Sequence, residues 1–245
     1  MQDFFLPPQD GNFNDPGNRE AYEQFYLKIN WKRHLRSQGG LLALTVIVNI
    51  LLLYVIQLAA SWLLSPLLFL FPGLTDLANE LYMFWIYMVA FLLPYLVYAK
   101  LVHYDYQKIP HDRPYPPVLA SCLGIALGCS IAGVLLSAMV SLFFSLFGLY
   151  PMDFPMDLPS NPLTALLYIL NMTALPAVVE EFVHRGIVLG SLRKYGDGFA
   201  IVISSLLFAM LHRNMVQAPN ALLLGLVLGS FMVQTNSLLT SMGIP

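Results

Sequence analysis

Two glutamates, a histidine and an arginine stand within six consecutive positions: Glu180, Glu181, His184 and Arg185, inside the apolar run ALPAVVEEFVHRGIVLG at residues 174–190. On a helix, Glu180 and His184 share one face at i,i+4, and Glu181 and Arg185 form a second pair about 100° round it. Facing lipid at a helix centre, each charged group would cost about 2.5–3.5 kcal/mol on insertion scales. A whole domain is stable by only about 5–15 kcal/mol, so these four groups must face a polar cavity. A second stretch, FAMLHRN at residues 208–214, sets Phe208 and His212 four apart on one helix face. A carboxylate on one helix and a neutral imidazole on the next can hold a water between them. The glutamate then serves as general base and the water attacks a carbonyl.

Each residue also has a plainer reading. Glu181 with Arg185 reads first as a structural ion pair, which lowers the cost of both groups in low dielectric. His184 reads as a satisfied histidine on an apolar helix, Phe208 as core packing, and Arg213 with Asn214 as marks of the outer membrane boundary. Glu180 has no local cation of its own, and an unmatched intramembrane acid reads as functional. Glu181–His184 has the ExxH spacing of carboxylate-bridged di-iron bundles, but no second ExxH with further glutamates accompanies it. HExxH is excluded because Val179 precedes Glu180, and there is no GxSxG.

The elements that must position these groups are apolar helices. The chain of 245 residues is 58% hydrophobic and only 11% charged, against about 25% charged in a soluble domain. That makes it an all-α polytopic membrane protein. Spanning runs of roughly 20 apolar residues fall at about 41–64, 81–102, 118–149, 163–192, 199–214 (short for a span) and 219–234, giving at least six helices. Lys and Arg precede the first segment and lie after the second and fourth, while the loops after the first and third carry none. By the positive-inside rule the N-terminus is expected inside. Only Arg185 and Arg213 stand outside this pattern. The site is then expected between the fourth and fifth segments, in a cavity opening towards the midplane or outer leaflet. A Cys placed at 214 and labelled only from inside would contradict that depth.

Residues 1–40 read as a polar lead ending in a short interfacial amphipathic helix, residues 41–162 as N-terminal transmembrane helices, and 163–245 as the helices carrying the motifs. There is no apolar signal peptide in the lead. Net charge is −2 with no polybasic run, which excludes nucleic acid as a partner. Cys122 and Cys129 are seven apart on one helix, about 10 Å along its axis, too far for a disulfide. GxxxG pairs at Gly124/Gly128, Gly186/Gly190 and Gly225/Gly229 read as sites of close helix packing within one bundle.

EEFVHR, with Glu180, Glu181 and Arg185, resembles the EExxxR motif of the CPBP intramembrane proteases, and FAMLH, with Phe208 and His212, resembles their FxxxH motif. This family is also called Abi or CAAX-protease-like and includes the type II CAAX prenyl endopeptidase. GLVLGSFMVQTNSLL is similar to the family's GxxxG helix and TGSL-like turn. The resemblance spans about 165–245. It implies an intramembrane endopeptidase, of a family that carries a metalloprotease name, in which Glu180 activates water beside His212 while Glu181 and Arg185 support them. It leaves open a divalent metal such as zinc, for which Glu180 and His212 are the ligand candidates. The implied partners are the lipid bilayer and a membrane-associated peptide or protein substrate, in a cell membrane that the resemblance suggests is a bacterial plasma membrane. The family's third motif, HxxxN or HxxxD, would follow the turn by a helix's length, yet no histidine follows His212. The expectation is a sequence cut short, or a site without its oxyanion-side residues. Two rivals stand: an inactive scaffold or bacteriocin-immunity-type protein using the Glu/Arg network structurally, and a small proton-coupled permease. The absence of internal repeats counts against the second.

Overall fold

The computed structural model describes residues 16–150 and 158–243, with side chains from residue 29 onward. The start of the polar lead, most of the loop YPMDFPMDLPSNP and the last two residues lie outside the described residues. Contacts divide the chain into two units, residues 1–46 and 47–245. Helix α1 is Pro16–Leu70. In the first unit the Thr45 hydroxyl donates to the Leu41 carbonyl at 2.8 Å, so this polar side chain satisfies itself within its own helix.

In the second unit a 3₁₀ turn, Pro72–Leu74, leads into α2 (Thr75–Trp85), a π-helical segment (Ile86–Leu92) and α3 (Leu93–Leu101). Pro94 has no N–H to return to the Ala90 carbonyl one turn back, and the amide of Asn49 donates to that carbonyl instead, at 2.6 Å. In a bilayer such a freed carbonyl needs a partner. Helix α4 is Pro116–Ser145. The fourth apolar segment is divided into α5 (Pro162–Met172), α6 (Ala174–Glu181), a second π-helical segment (Phe182–Leu189) and α7 (Gly190–Leu192). After a 3₁₀ turn at Arg193–Tyr195 come α8 (Asp197–Leu211), α9 (Ala218–Thr235) and α10 (Leu238–Met242).

The expected helical membrane bundle is present. Five stretches are long and apolar enough to cross a membrane: Ile29–Leu70, Pro72–Leu101, Pro116–Ser145, Pro162–Tyr195 and Ala218–Thr235. The fifth expected segment, at about 199–214, is the shorter apolar helix α8. At 1.5 Å per residue it spans about 22 Å, less than the roughly 30 Å of a hydrocarbon core. Among the described residues the β structure is one isolated antiparallel bridge, His111 to Ser237.

Helix α9 is the packing centre, lying against both α8 and α4. Its Gly225 sits so close to α8 that a Cβ there would come within 2.9 Å of the Ser205 Cβ and 3.1 Å of its backbone. On the other side Leu228 and Phe231 join Cys122 and Ala126 of α4 in one buried cluster. The Gly225/Gly229 pair therefore does what small residues do in membranes, which is to let helices approach closely. Gly186/Gly190 corrects the same expectation. A Cβ on Gly190 would run into the Tyr104 hydroxyl, and that hydroxyl donates to the Gly186 carbonyl at 2.8 Å. This glycine pair is a slot for a loop side chain. Among the described residues Gly124 and Gly128 have nothing within 4 Å of their virtual Cβ atoms, so the close approach expected there is not seen.

The loop carrying Tyr104 is folded back by the end of α3. His103 takes a left-handed conformation (φ 52°), and the N–H groups of His103 and Tyr104 bond the carbonyls of Lys100 and Ala99, a Schellman-type stop. Burial pushes the Tyr104 phenol up to about 12, so it remains a hydrogen-bond donor at neutral pH. Farther along, the Leu238 N–H donates to the Pro110 carbonyl at 2.9 Å and the Asp112 N–H to the Asn236 carbonyl at 3.2 Å. The Asn236 amide returns a bond to Asp112 Oδ2 at 2.8 Å. Asn236 is itself left-handed (φ 48°), a conformation asparagine tolerates better than most residues. The TNSL turn is thereby fastened to the loop between the second and third spans.

Candidate active site

Helix α6 and the π-helical segment after it carry the first motif. Glu180, in the last turn of α6, is half-buried, and its Oε1 accepts from the Tyr87 hydroxyl at 3.3 Å. Tyr87 belongs to the other π-helical segment, and the Phe91 ring of that segment lies 5.6 Å from the His184 ring of the second, so the two widened turns meet at the site. Such turns occur mostly as single-turn insertions, frequently at functional sites. Glu181 is 2% exposed. Its Oε1 lies 2.6 Å from Arg185 Nη1, and Arg185 is wholly buried. The guanidinium carbon also sits 4.4 Å from the centre of the Phe208 ring, a cation–π contact that strengthens when desolvated. The expected structural pair is formed, one helix turn long and sealed from solvent.

His184 is 1% exposed. Its Nδ1 bonds the main-chain carbonyl of Glu180 at 3.0 Å, and its ring contacts those of Phe91, Tyr95 and Phe208. Among the described residues its Nε2 is buried with no partner, so the expectation of a satisfied histidine holds for only one of its two nitrogens. His212 caps the C-terminus of α8. Its Nδ1 bonds the Phe208 carbonyl at 2.8 Å, and its ring stands 4.8 Å from that of Phe208. Because a carbonyl can only accept, both imidazoles carry a proton on Nδ1, and the neutral form of each ring has its lone pair at Nε2.

Phe208 and Glu180 are the wall between two cavities. The smaller, about 210 Å³, is lined by Tyr87, Phe91, Glu180, His184, Phe208, Leu211 and His212. It brings the first glutamate of EExxxR and the histidine of FxxxH into one space, which their separation in sequence does not show by itself. The larger, about 300 Å³, is lined mainly by apolar side chains, including Ala126 and Leu127 of α4 and Leu224 and Leu228 of α9, with Glu180, Glu181 and Phe208 at its end. Met172, Thr173, Pro176 and Ala177 form another wall of it. Pro176 cannot donate to the Met172 carbonyl, and Thr173 leaves helical geometry at φ −120°, ψ −71°, so the α5–α6 break opens this side.

Arg213 and Asn214 stay at the α8–α9 turn. Arg213 is exposed and left-handed (φ 51°), and Asn214 Oδ1 accepts from the Val216 and Gln217 N–H groups at the start of α9. Tyr87 was not singled out from the sequence, where it is one of several tyrosines in an apolar segment and nothing local marks it. For a metal, the donor set does not fit: among the described residues no group of three or more His, Cys, Asp or Glu side chains converges as ligands. Glu180, His184 and His212 line one cavity but do not converge as the three or more ligands of a zinc site of the usual kind.

Residues 162–244 match the family model described as type II CAAX prenyl endopeptidase Rce1-like, the CPBP/CAAX protease family that the two motifs resemble. No curated protein and no solved structure matches the chain.

Proposed function

From the Rce1-like match of residues 162–244, we propose that this multi-pass membrane protein hydrolyses a peptide bond in a membrane-associated peptide or protein, with Glu180 as the base. The observation that carries the reading is the shared cavity of Glu180 and His212. Water enters the smaller, polar cavity. The Glu180 carboxylate, held by the Tyr87 hydroxyl, takes a proton from it as the oxygen adds to the scissile carbonyl carbon. The same proton passes to the departing amine nitrogen as the C–N bond breaks. His212 stands at the half-buried side of the cavity. With its Nδ1–H spent on Phe208, its Nε2 serves as an acceptor beside the base.

The larger cavity reaches Glu180 from the apolar side and suits the substrate's apolar segment. Glu181 and Arg185 act as positioning residues: they line no part of the polar cavity, and their ion pair fixes the turn that presents Glu180. By charge asymmetry the N-terminus is inside, which puts the loop at residues 102–115 on the cytoplasmic face. A bacterial plasma membrane remains our assignment of location.

The test is cleavage of a fluorogenic, farnesylated peptide ending in a CAAX-type sequence, and of its unprenylated counterpart, by the full chain in proteoliposomes. The expected result is release of the C-terminal fragment by the wild type and its loss in Glu180→Gln. Equal cleavage by both proteins would overturn the assignment of the base. The inactive-scaffold reading draws on the sealed Glu181–Arg185 pair. It predicts no cleavage by either protein, with function in cells unchanged by Glu180→Gln.

A further inference from the structure

We propose that His184 is the enclosed acceptor for the water that Glu180 activates, a second imidazole in the site beside that of His212. The inference rests on the hydrolase reading above and names a residue which that reading leaves without a task.

Three observations carry it. His184 lines the same cavity as Glu180 and His212. Its Nδ1 must donate to the Glu180 carbonyl, so in the neutral ring Nε2 can only accept. Among the described residues that Nε2 is buried without a partner, and such a group calls for an occupant, such as water, or a catalytic use.

The inventory of the cavity points the same way. The Tyr87 hydroxyl is committed to Glu180, while the carboxylate and the Nε2 atoms of neutral His184 and His212 all present lone pairs. A space lined by acceptors is completed by a donor, and water brings two protons. One goes to Glu180 and the other is held by His184. The volume of about 210 Å³ exceeds the roughly 30 Å³ share of a single water. Glu180 and His184 are also tied through the main chain of one turn, so base and acceptor move together. In the step itself Glu180 alone takes the proton. His184 holds the second O–H, orients the oxygen lone pair towards the carbonyl carbon, and neither gains nor loses a proton.

One other neighbour could claim the lone pair. The Tyr95 hydroxyl is likewise buried without a partner among the described residues, and its ring lies 6.0 Å from that of His184. The experiment must separate a tyrosine partner from a water. The full chain, labelled with ¹⁵N in its imidazoles and held in detergent micelles, is read by NMR as wild type, Glu180→Gln and Tyr95→Phe. The expected result is a neutral His184 with its proton on Nδ1, and an Nε2 signal that moves in Glu180→Gln and not in Tyr95→Phe. A proton on Nε2, or a signal that follows Tyr95→Phe alone, overturns the proposal.

The kinetic arm uses the farnesylated reporter. His184→Phe keeps the aromatic packing and is expected to lower kcat about tenfold to a hundredfold, the effect of one lost hydrogen bond to a reacting group, with KM within about twofold. His184→Gln, which restores an acceptor oxygen, is expected to recover part of the loss. An unchanged kcat in His184→Phe overturns the proposal, as does an equal loss in both variants. Should the wild type cleave nothing, the hydrolase reading fails, and the NMR arm still decides whether His184 holds water.

Discussion

Helix α4 and the stretch Ala174–Leu192 are both strongly apolar, yet they bury opposite things. Along α4 the large side chains, among them Ile131, Leu135, Met139 and Phe143, point outward, and the buried positions are the small Cys122, Ala126 and Gly133. From Val183 to Leu189 every residue is buried, His184 and Arg185 included. In water the order would be reversed, because charged residues are almost never fully buried unless paired. In lipid the outward surface is free to be greasy, so hydrophobicity stops ranking burial. Ionisable and small residues mark the inside instead.

The largest break in this comparison is chemical. Glu180→Gln is expected to reduce cleavage of the reporter by about 10²–10⁴-fold, the range for loss of a general base, with an unchanged unfolding midpoint. A midpoint that fell with the activity would make Glu180 a structural residue like its neighbour. Next comes Arg185→Met, which leaves the Glu181 carboxylate buried without its cation and should cost about 3–5 kcal/mol in denaturant titration. Adding Glu181→Gln should return a large part of that cost. Failure of this recovery would mean that Arg185 is needed for more than neutralising its partner.

A smaller effect sharpens the difference between the glycine pairs. Gly225→Ala forces α9 away from Ser205 and is expected to cost about 1–3 kcal/mol. Gly190→Ala meets only the tip of Tyr104, so its cost should largely vanish when measured in a Tyr104→Ala background. An undiminished cost there would show that Gly190 packs against something other than the tyrosine. At the bottom of the scale lies α4. Gly128→Ala is expected within about 0.5 kcal/mol of wild type, or slightly stabilising, because the added methyl meets nothing and a flexible residue leaves the helix.

The helical membrane architecture was legible in composition and run length, and the Glu181–Arg185 pair in its i,i+4 spacing. The meeting of Glu180 with His212 followed from the cost of burying them and from the motif resemblance. Three features were not readable, each for a physical reason. A π-helical turn has no composition of its own, so neither Ile86–Leu92 nor Phe182–Leu189 stands out in the sequence. The GxxxG spacing says that something approaches closely without saying what, and at Gly190 it is a loop tyrosine. His184 sits where an aromatic packing residue would serve equally well. Only the accounting of its two nitrogens, one bonded and one bare, separates it from packing.

The fastening of the loop at residues 105–113 to Asn236, Ser237 and Leu238 also bears on the order in which the protein is made. The loop leaves the ribosome more than a hundred residues before its partners. It must therefore wait, undocked, while α4 to α9 are inserted. The same delay applies to the slot at Gly186 and Gly190, which appears only after Tyr104 has already been synthesised. Final closure beneath the site is thus a post-insertion event that depends on contacts far apart in sequence, the kind that form slowly. Until that closure, the charges of residues 180–185 sit in an unfinished bundle, an incompletely packed intermediate of the kind larger chains pass through.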